Sequence, residues 1–225
     1  MTSSPSSASW EFENSELMLS LLVGRDFGSN PEEKLDLIRA SKAQKAEHII
    51  QGSWMTKNCV AIELGSGCGF ISKVVADAVK NLHCIDVSAS FLEVAKRECR
   101  EKANISFHQV KNYNLSFLPP QSVDVVYAYN VFIHFNLFDI YWYLNEFKRI
   151  IKPGGRLWFD IANGEQFKES MPALFLEMAT HYKENPSDNP TLVQWNSVAA
   201  IQALGEHFGF SLTTISSNSE LIFTR

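Results

Sequence analysis

Val60-Ala61-Ile62-Glu63-Leu64-Gly65-Ser66-Gly67-Cys68-Gly69-Phe70 is the stretch from which the fold of this chain can be read. Val60 to Leu64 is a short, mostly apolar run bounded by glycine, the pattern of a buried strand, and Phe70, Val74, Val75 and Ala78 then recur at helical spacing. The order is strand, tight turn, helix. Gly65 and Gly67 let the backbone reverse and approach a ligand with no Cβ in the way, while the new helix directs unpaired N–H groups at that ligand. A dinucleotide fingerprint would place its third glycine where Phe70 stands. Pyrophosphate binding, and with it a nucleotide-dependent oxidoreductase, becomes the weaker reading.

Downstream elements extend the pattern. Leu82 to Val87 reads as a second strand ending in Asp86, which lies 17 positions after Gly69. A carboxylate at that strand end can accept hydrogen bonds from both ribose hydroxyls of a nucleoside held by the glycine turn. The same acid also precedes a helix start, where Ser90-x-x-Glu93 has the form of a capping box. Val87 offers an apolar surface to a base. A helix from about Ser90 to Lys102 leads to a strand over Ile105 to Val110, and Val123 to Tyr129 reads as the next. A helix from Leu137 to Ile151 follows. Pro153 blocks its continuation and Gly154-Gly155 makes the reversal into a strand from Arg156 to Ala162. Ser197 to His207 reads as a helix, and Phe210 to Ile215 pairs with Leu221 to Thr224 across a turn at 216–219.

Three runs carry a family resemblance: Glu63-Leu64-Gly65-Ser66-Gly67-Cys68-Gly69, the pattern D-x-V-x-x-x-x-V-x-x-H from Asp124 to His134, and Arg149 to Gly155. Together with Asp86 they resemble the class I S-adenosylmethionine-dependent methyltransferases over Val60 to Ile161. The resemblance implies an α/β fold with a Rossmann-like, seven-stranded, mostly parallel sheet, an antiparallel C-terminal hairpin, three layers and an N-terminal helical cap. It implies S-adenosyl-L-methionine as cofactor, held by Glu63, Gly65, Ser66, Gly67, Gly69, Asp86, Val87, Asn112, Tyr113 and Asn130. Asn112 stands nearest the position from which the family contacts the adenine amino group, although the family's usual Asp is missing. His134 falls beside the expected methyl site, either as a general base or as a packing residue. The acceptor is expected to be a small molecule methylated on O, N or S; a non-catalytic cofactor-binding protein is the alternative.

The remaining chain frames that core. With 225 residues, 45% of them hydrophobic and 20% charged, it suits one globular domain. Its net charge of -5 and pI near 5.7 provide no global field for nucleic acid or anionic membranes. No Asn/Asp-Pro-Pro-Tyr/Phe run or Pro-Cys pair of nucleic-acid methylation occurs. Cys59, Cys68, Cys84 and Cys99 lie far apart with no metal-ligand spacing, so reduced thiols and no metal are expected. Residues 1–9 read as a disordered, serine-rich tail and residues 10–58 as the helical cap. In that cap Trp10 to Val23 bears an apolar stripe and Pro31 to Gln51 a helix. Arg25, Arg39, Lys42 and Lys45 are its candidates for the cofactor's carboxylate. Residues 163–195 read as an insertion beside the acceptor site, with Phe167, Met171, Leu174, Phe175, Met178 and Tyr182 at helical spacing. With no secretory signal or membrane-length run, a soluble cytoplasmic protein is expected.

Overall fold

The structure, a computed structural model, describes residues 31–166, 168–184, 193–217 and 219–225. The expected tail, the Trp10 to Val23 stripe, Arg25 and Phe167 lie outside the described residues. At the centre is β1 (Val60–Leu64), flanked in parallel by β2 (Asn81–Asp86) and β4 (Val123–Ala128). With β3 (Ile105–Gln109), β5 (Ile151–Asp160), β8 (Ser211–Ile215) and β9 (Glu220–Thr224) these make a seven-stranded sheet in the order β3-β2-β1-β4-β5-β9-β8. In this sheet β9 runs opposite to the other six strands, so its pairings with β5 and β8 are antiparallel.

Strand alternation sorts the core into two clusters, one on each face of the sheet. Ile62, Leu64, Val126, Leu157, Phe159 and Phe223 pack with helices α4 (Leu137–Ile150) and α6 (Val198–His207). Ala61, Val125, Tyr127, Trp158 and Ile222 pack with α1 (Pro31–Gly52) and α2 (Phe70–Val75). The result is the expected three-layer architecture, and α1 is its helical cap.

Helix α1 is held to the core by ion pairs at two places. Arg39 and Lys73 both meet Glu98, each at 3.0 Å, at the end of α3 (Ala89–Glu98). Near the other end, Lys45 at 2.8 Å and His48 at 2.7 Å converge on the buried carboxylate of Glu220 in β9.

Four local expectations are corrected. Helix α3 begins at Ala89, and its cap is Ser88, whose hydroxyl accepts from Phe91 N at 3.2 Å, so the Ser90 box is not what starts it. Helix α4 passes into β5 with no loop, because Ile151 already has extended backbone. Pro153-Gly154-Gly155 therefore lies within β5, where its pairing with β4 shifts register. A Cβ on Gly155 would come within 2.5 Å of Ile151 Cγ2 and 2.8 Å of the Asp124 carbonyl, so glycine there answers to packing. Lastly, β6 (Ala162–Asn163) and β7 (Trp195–Asn196) form an additional parallel pair bracketing α5 (Met171–Glu184), a helix with no buried side chain.

Candidate active site

The carboxyl ends of β1, β2 and β4, together with one face of α1, enclose a cavity of about 710 Å3. This is where an open α/β sheet places its ligand, because the strand order reverses beside β1. The loop after β1 forms its floor. Gly65 N and Ser66 N donate to Ile85 O at 2.7 and 3.1 Å, folding the turn across the end of β2. Gly65 has φ +71, and a Cβ there would strike Val131 Cγ2 at 2.3 Å. Gly67 has φ +51 and nothing within 4 Å of its Cβ position, so its backbone faces open space on the cavity side.

Asp86 locks that loop. Its Oδ2 accepts from Gly67 N at 2.8 Å and its Oδ1 from Ser88 N at 3.0 Å, and its side chain lines the cavity although the residue is only 7% exposed. An acid here both shapes the turn and presents a carboxylate to whatever the turn holds. Val87 follows on the wall, its carbonyl accepting from Gln109 Nε2 at 3.0 Å.

Glu63 reaches the cavity from the α1–α2 face of the sheet. It accepts a hydrogen bond from Ser72 Oγ, and burial pushes its carboxyl up to about 8, the Ser72 bond only partly opposing that rise. Across from it stands Lys42 of α1, with its ammonium 4.7 Å from the centroid of the Tyr129 ring. Burial lowers the Lys42 pKa, while Asp160 and Glu63 pull it upward. Of the three described cationic candidates, Arg39 and Lys45 are engaged in the ion pairs that dock α1, and Lys42 is the one on the cavity wall.

Asn130 and His134 form the far wall. Asn130 adopts φ +58, unusual outside glycine, and its N–H donates to Asp160 Oδ1 at 2.8 Å. Burial raises Asp160 to about 6 despite that bond. The contact was not anticipated from the sequence; an acid closing a buried strand was its only visible signal. His134 ends a 3-10 turn, Phe132–His134, and its backbone N donates to Val131 O at 3.0 Å. Gln194, from the segment before β7, donates its N–H to Ile133 O at 2.7 Å and joins the same wall.

Three expected contacts sit elsewhere. Gly69 faces away from the cavity, where a Cβ would meet Ala95 and Cys99 at 3.0 to 3.1 Å; it permits α2 and α3 to approach. Asn112 is exposed and off the wall, its side-chain oxygen accepting from Asn114 N at 3.0 Å as in an Asx turn. Tyr113 stands behind the wall, donating its hydroxyl to Asp139 and packing edge-on against Tyr143, both of which line the cavity. Cys68 also lines it, but burial and then Asp86 push its thiol up to about 12, away from nucleophilic use.

Residues 62–159 match the family described as a methyltransferase domain. Over 96 residues the chain is 32% identical to a demethylmenaquinone methyltransferase of Tropheryma whipplei, a match covering 43% of this chain and 38% of the relative. The match thus spans well under half of the curated relative's length. Among solved structures, the geranyl diphosphate C-methyltransferase of Streptomyces coelicolor superposes with a TM-score of 0.66 at 13% identity, over 92% of this chain and 84% of that one. The YcgJ protein of Bacillus subtilis gives 0.62 at 19% identity, over 77% and 70%. At such identities these two establish the fold.

Proposed function

We propose that the chain, whose residues 62–159 match a methyltransferase domain, is a class I methyltransferase that transfers a methyl group from S-adenosylmethionine to O, N or S of a small-molecule acceptor in the cytoplasm. The observation that carries the reading is the Asp86 carboxylate bonded to Gly67 N at the floor of the 710 Å3 cavity. Such an arrangement suits a nucleoside whose ribose meets the acid while its amino-acid tail crosses the glycine loop.

Roles for the chain's residues follow. Asp86 accepts from the ribose hydroxyls, and Val87 covers one face of the adenine. The open backbone at Gly67 lets the cofactor lie close against the loop. Glu63, a carboxyl that burial keeps protonated and that an ammonium group would draw back toward its ionised form, faces the cofactor's ammonium, and Lys42 faces its carboxylate. When bound, the cofactor supplies a methyl carbon already made electrophilic by its sulfonium charge. The protein's work is then to align the acceptor and exclude water. Asn130 and His134 shape the wall beside the acceptor, and His134 is assigned to packing and positioning rather than to proton removal. The 163–195 segment flanks that space through Gln194.

The chain's acidic charge and lack of nucleic-acid motifs favour a metabolite as acceptor. The deciding experiment is incubation of the purified full chain with methyl-labelled S-adenosylmethionine and fractionated metabolites. Label appearing in a low-molecular-mass product supports the proposal. Cofactor binding with no label transfer to any fraction would instead favour a non-catalytic binding protein.

A further inference from the structure

Away from the cavity, His83 of β2 and His108 of β3 face each other with His83 Nδ1 3.1 Å from His108 Nε2. Strand pairing explains how they meet: in the parallel ladder His83 stands opposite Ser106 and Ile85 opposite His108, so the two rings are diagonal neighbours on one face. Both are half-buried. The His108 ring stacks on Phe117 with centroids 4.3 Å apart, which fixes its orientation, and Phe117 is itself exposed. We propose that His83 and His108 form a two-histidine chelate for a borderline divalent transition metal such as Zn2+, with water filling the remaining coordination positions.

The geometry carries this. Two Zn–N bonds of about 2.0–2.1 Å meeting at a tetrahedral angle separate their nitrogens by roughly 3.3 Å. The observed spacing needs only a small opening of the pair to admit the ion. Imidazole nitrogens select ions of this class over Mg2+ or Ca2+, which prefer oxygen. Metal ligation requires neutral rings, and burial lowers the pKa of both histidines, His83 adding to the lowering at His108. Among the described residues no cluster of three or more His, Cys, Asp or Glu side chains is placed to hold a metal. The site is therefore open and exchangeable rather than a closed structural centre. A direct N–H···N hydrogen bond between the rings is the state that Zn2+ would displace.

The test uses the untagged full chain. Titration with Zn2+ is expected to give saturable one-to-one binding at micromolar concentration, with Mg2+ giving none. His108→Phe keeps the stacking on Phe117, and His83→Gln keeps polarity; each should weaken Zn2+ binding at least tenfold with an unchanged circular dichroism spectrum. Zn2+ affinity within twofold of wild type in both variants would overturn the site. If either variant fails to fold, long-range 1H–15N correlation of the wild-type imidazoles decides. Zn2+ should shift the Nδ1 signal of His83 and the Nε2 signal of His108 together, and shifts confined to other histidines would refute the proposal.

Discussion

At the scale of single residues, Asp86 and Glu63 are two carboxyls lining one cavity that differ in what surrounds them. Asp86 accepts from two backbone N–H groups, whereas Glu63 has the Ser72 hydroxyl and a buried setting. Asp86→Ala should weaken S-adenosylmethionine binding by about 1.5–3 kcal/mol, through lost charge-assisted bonds and a loosened Gly67 turn. Calorimetry on the folded variant checks this, and unchanged affinity would leave Asp86 as a loop anchor only. Glu63 titrates at about 8 in the folded chain, above the 4.5 of a free carboxyl. The folded state therefore keeps a proton that the unfolded chain releases. The stability this contributes is complete below about pH 4.5 and is lost as pH rises through 8. Glu63→Gln stays neutral and can still accept from Ser72, so it should remove an alkaline decline on the order of a few kcal/mol. Urea unfolding at pH 5 and pH 9 measures it; equal slopes in the two proteins would disprove the assignment. The glycine run and Asp86 were legible in the sequence because each depends on neighbours a few positions away. The placement of Asn112 was not, because its oxygen is engaged by Asn114 N in a local turn away from the cavity wall.

Among the elements, α1 has the most to lose from one substitution. Its second half rests on Glu220, a buried carboxylate whose bonds to Lys45 and His48 outweigh desolvation and hold its pKa below the ordinary value. Lys45→Met removes the ammonium at 2.8 Å from Glu220 and leaves an acceptor under-satisfied, a loss of about 1–3 kcal/mol. Hydrogen exchange should rise through residues 42–52, and cofactor affinity should fall because Lys42 is carried on the same helix. Exchange rates unchanged from wild type would show that apolar packing at Ala46 and Ile49 alone seats the helix. The sign of the pH effect here is opposite to that of Glu63. With its folded pKa depressed, Glu220 contributes above the free-carboxyl value and loses that contribution as the medium becomes more acidic. Helix α1 was anticipated from its apolar spacing and from Pro31, but its anchors were not, since Lys45 and Glu220 are 175 positions apart. The same limit hid the passage from α4 into β5. Pro153 and the paired glycines suggest a reversal, yet Ile151 leaves the helix earlier and pairs with Val123, which draws the turn motif into the strand.

For the whole molecule, a ligand that binds only the folded state must raise its melting temperature. S-adenosylmethionine and S-adenosylhomocysteine should each do so, and nicotinamide dinucleotides should not, because Phe70 stands where a third glycine would be needed to seat a pyrophosphate. Stabilisation by the dinucleotide alone would reverse the cofactor assignment. No helix among the described residues is long and apolar enough to cross a membrane. What the sequence by itself determined is the order of strands and helices, the glycine turn after β1 and the acid closing β2. Those signals are periodicity, turn chemistry and short spacing, which act along the chain. What only the tertiary structure decided is which distant groups share a space: Lys42 opposite Glu63, Asp160 under Asn130, Glu220 beneath α1 and His83 beside His108. Each of these pairings is made by strand register or helix docking, which apolar burial in the two core clusters drives and which repays the desolvation of the polar partners, a balance that no local pattern of residues carries.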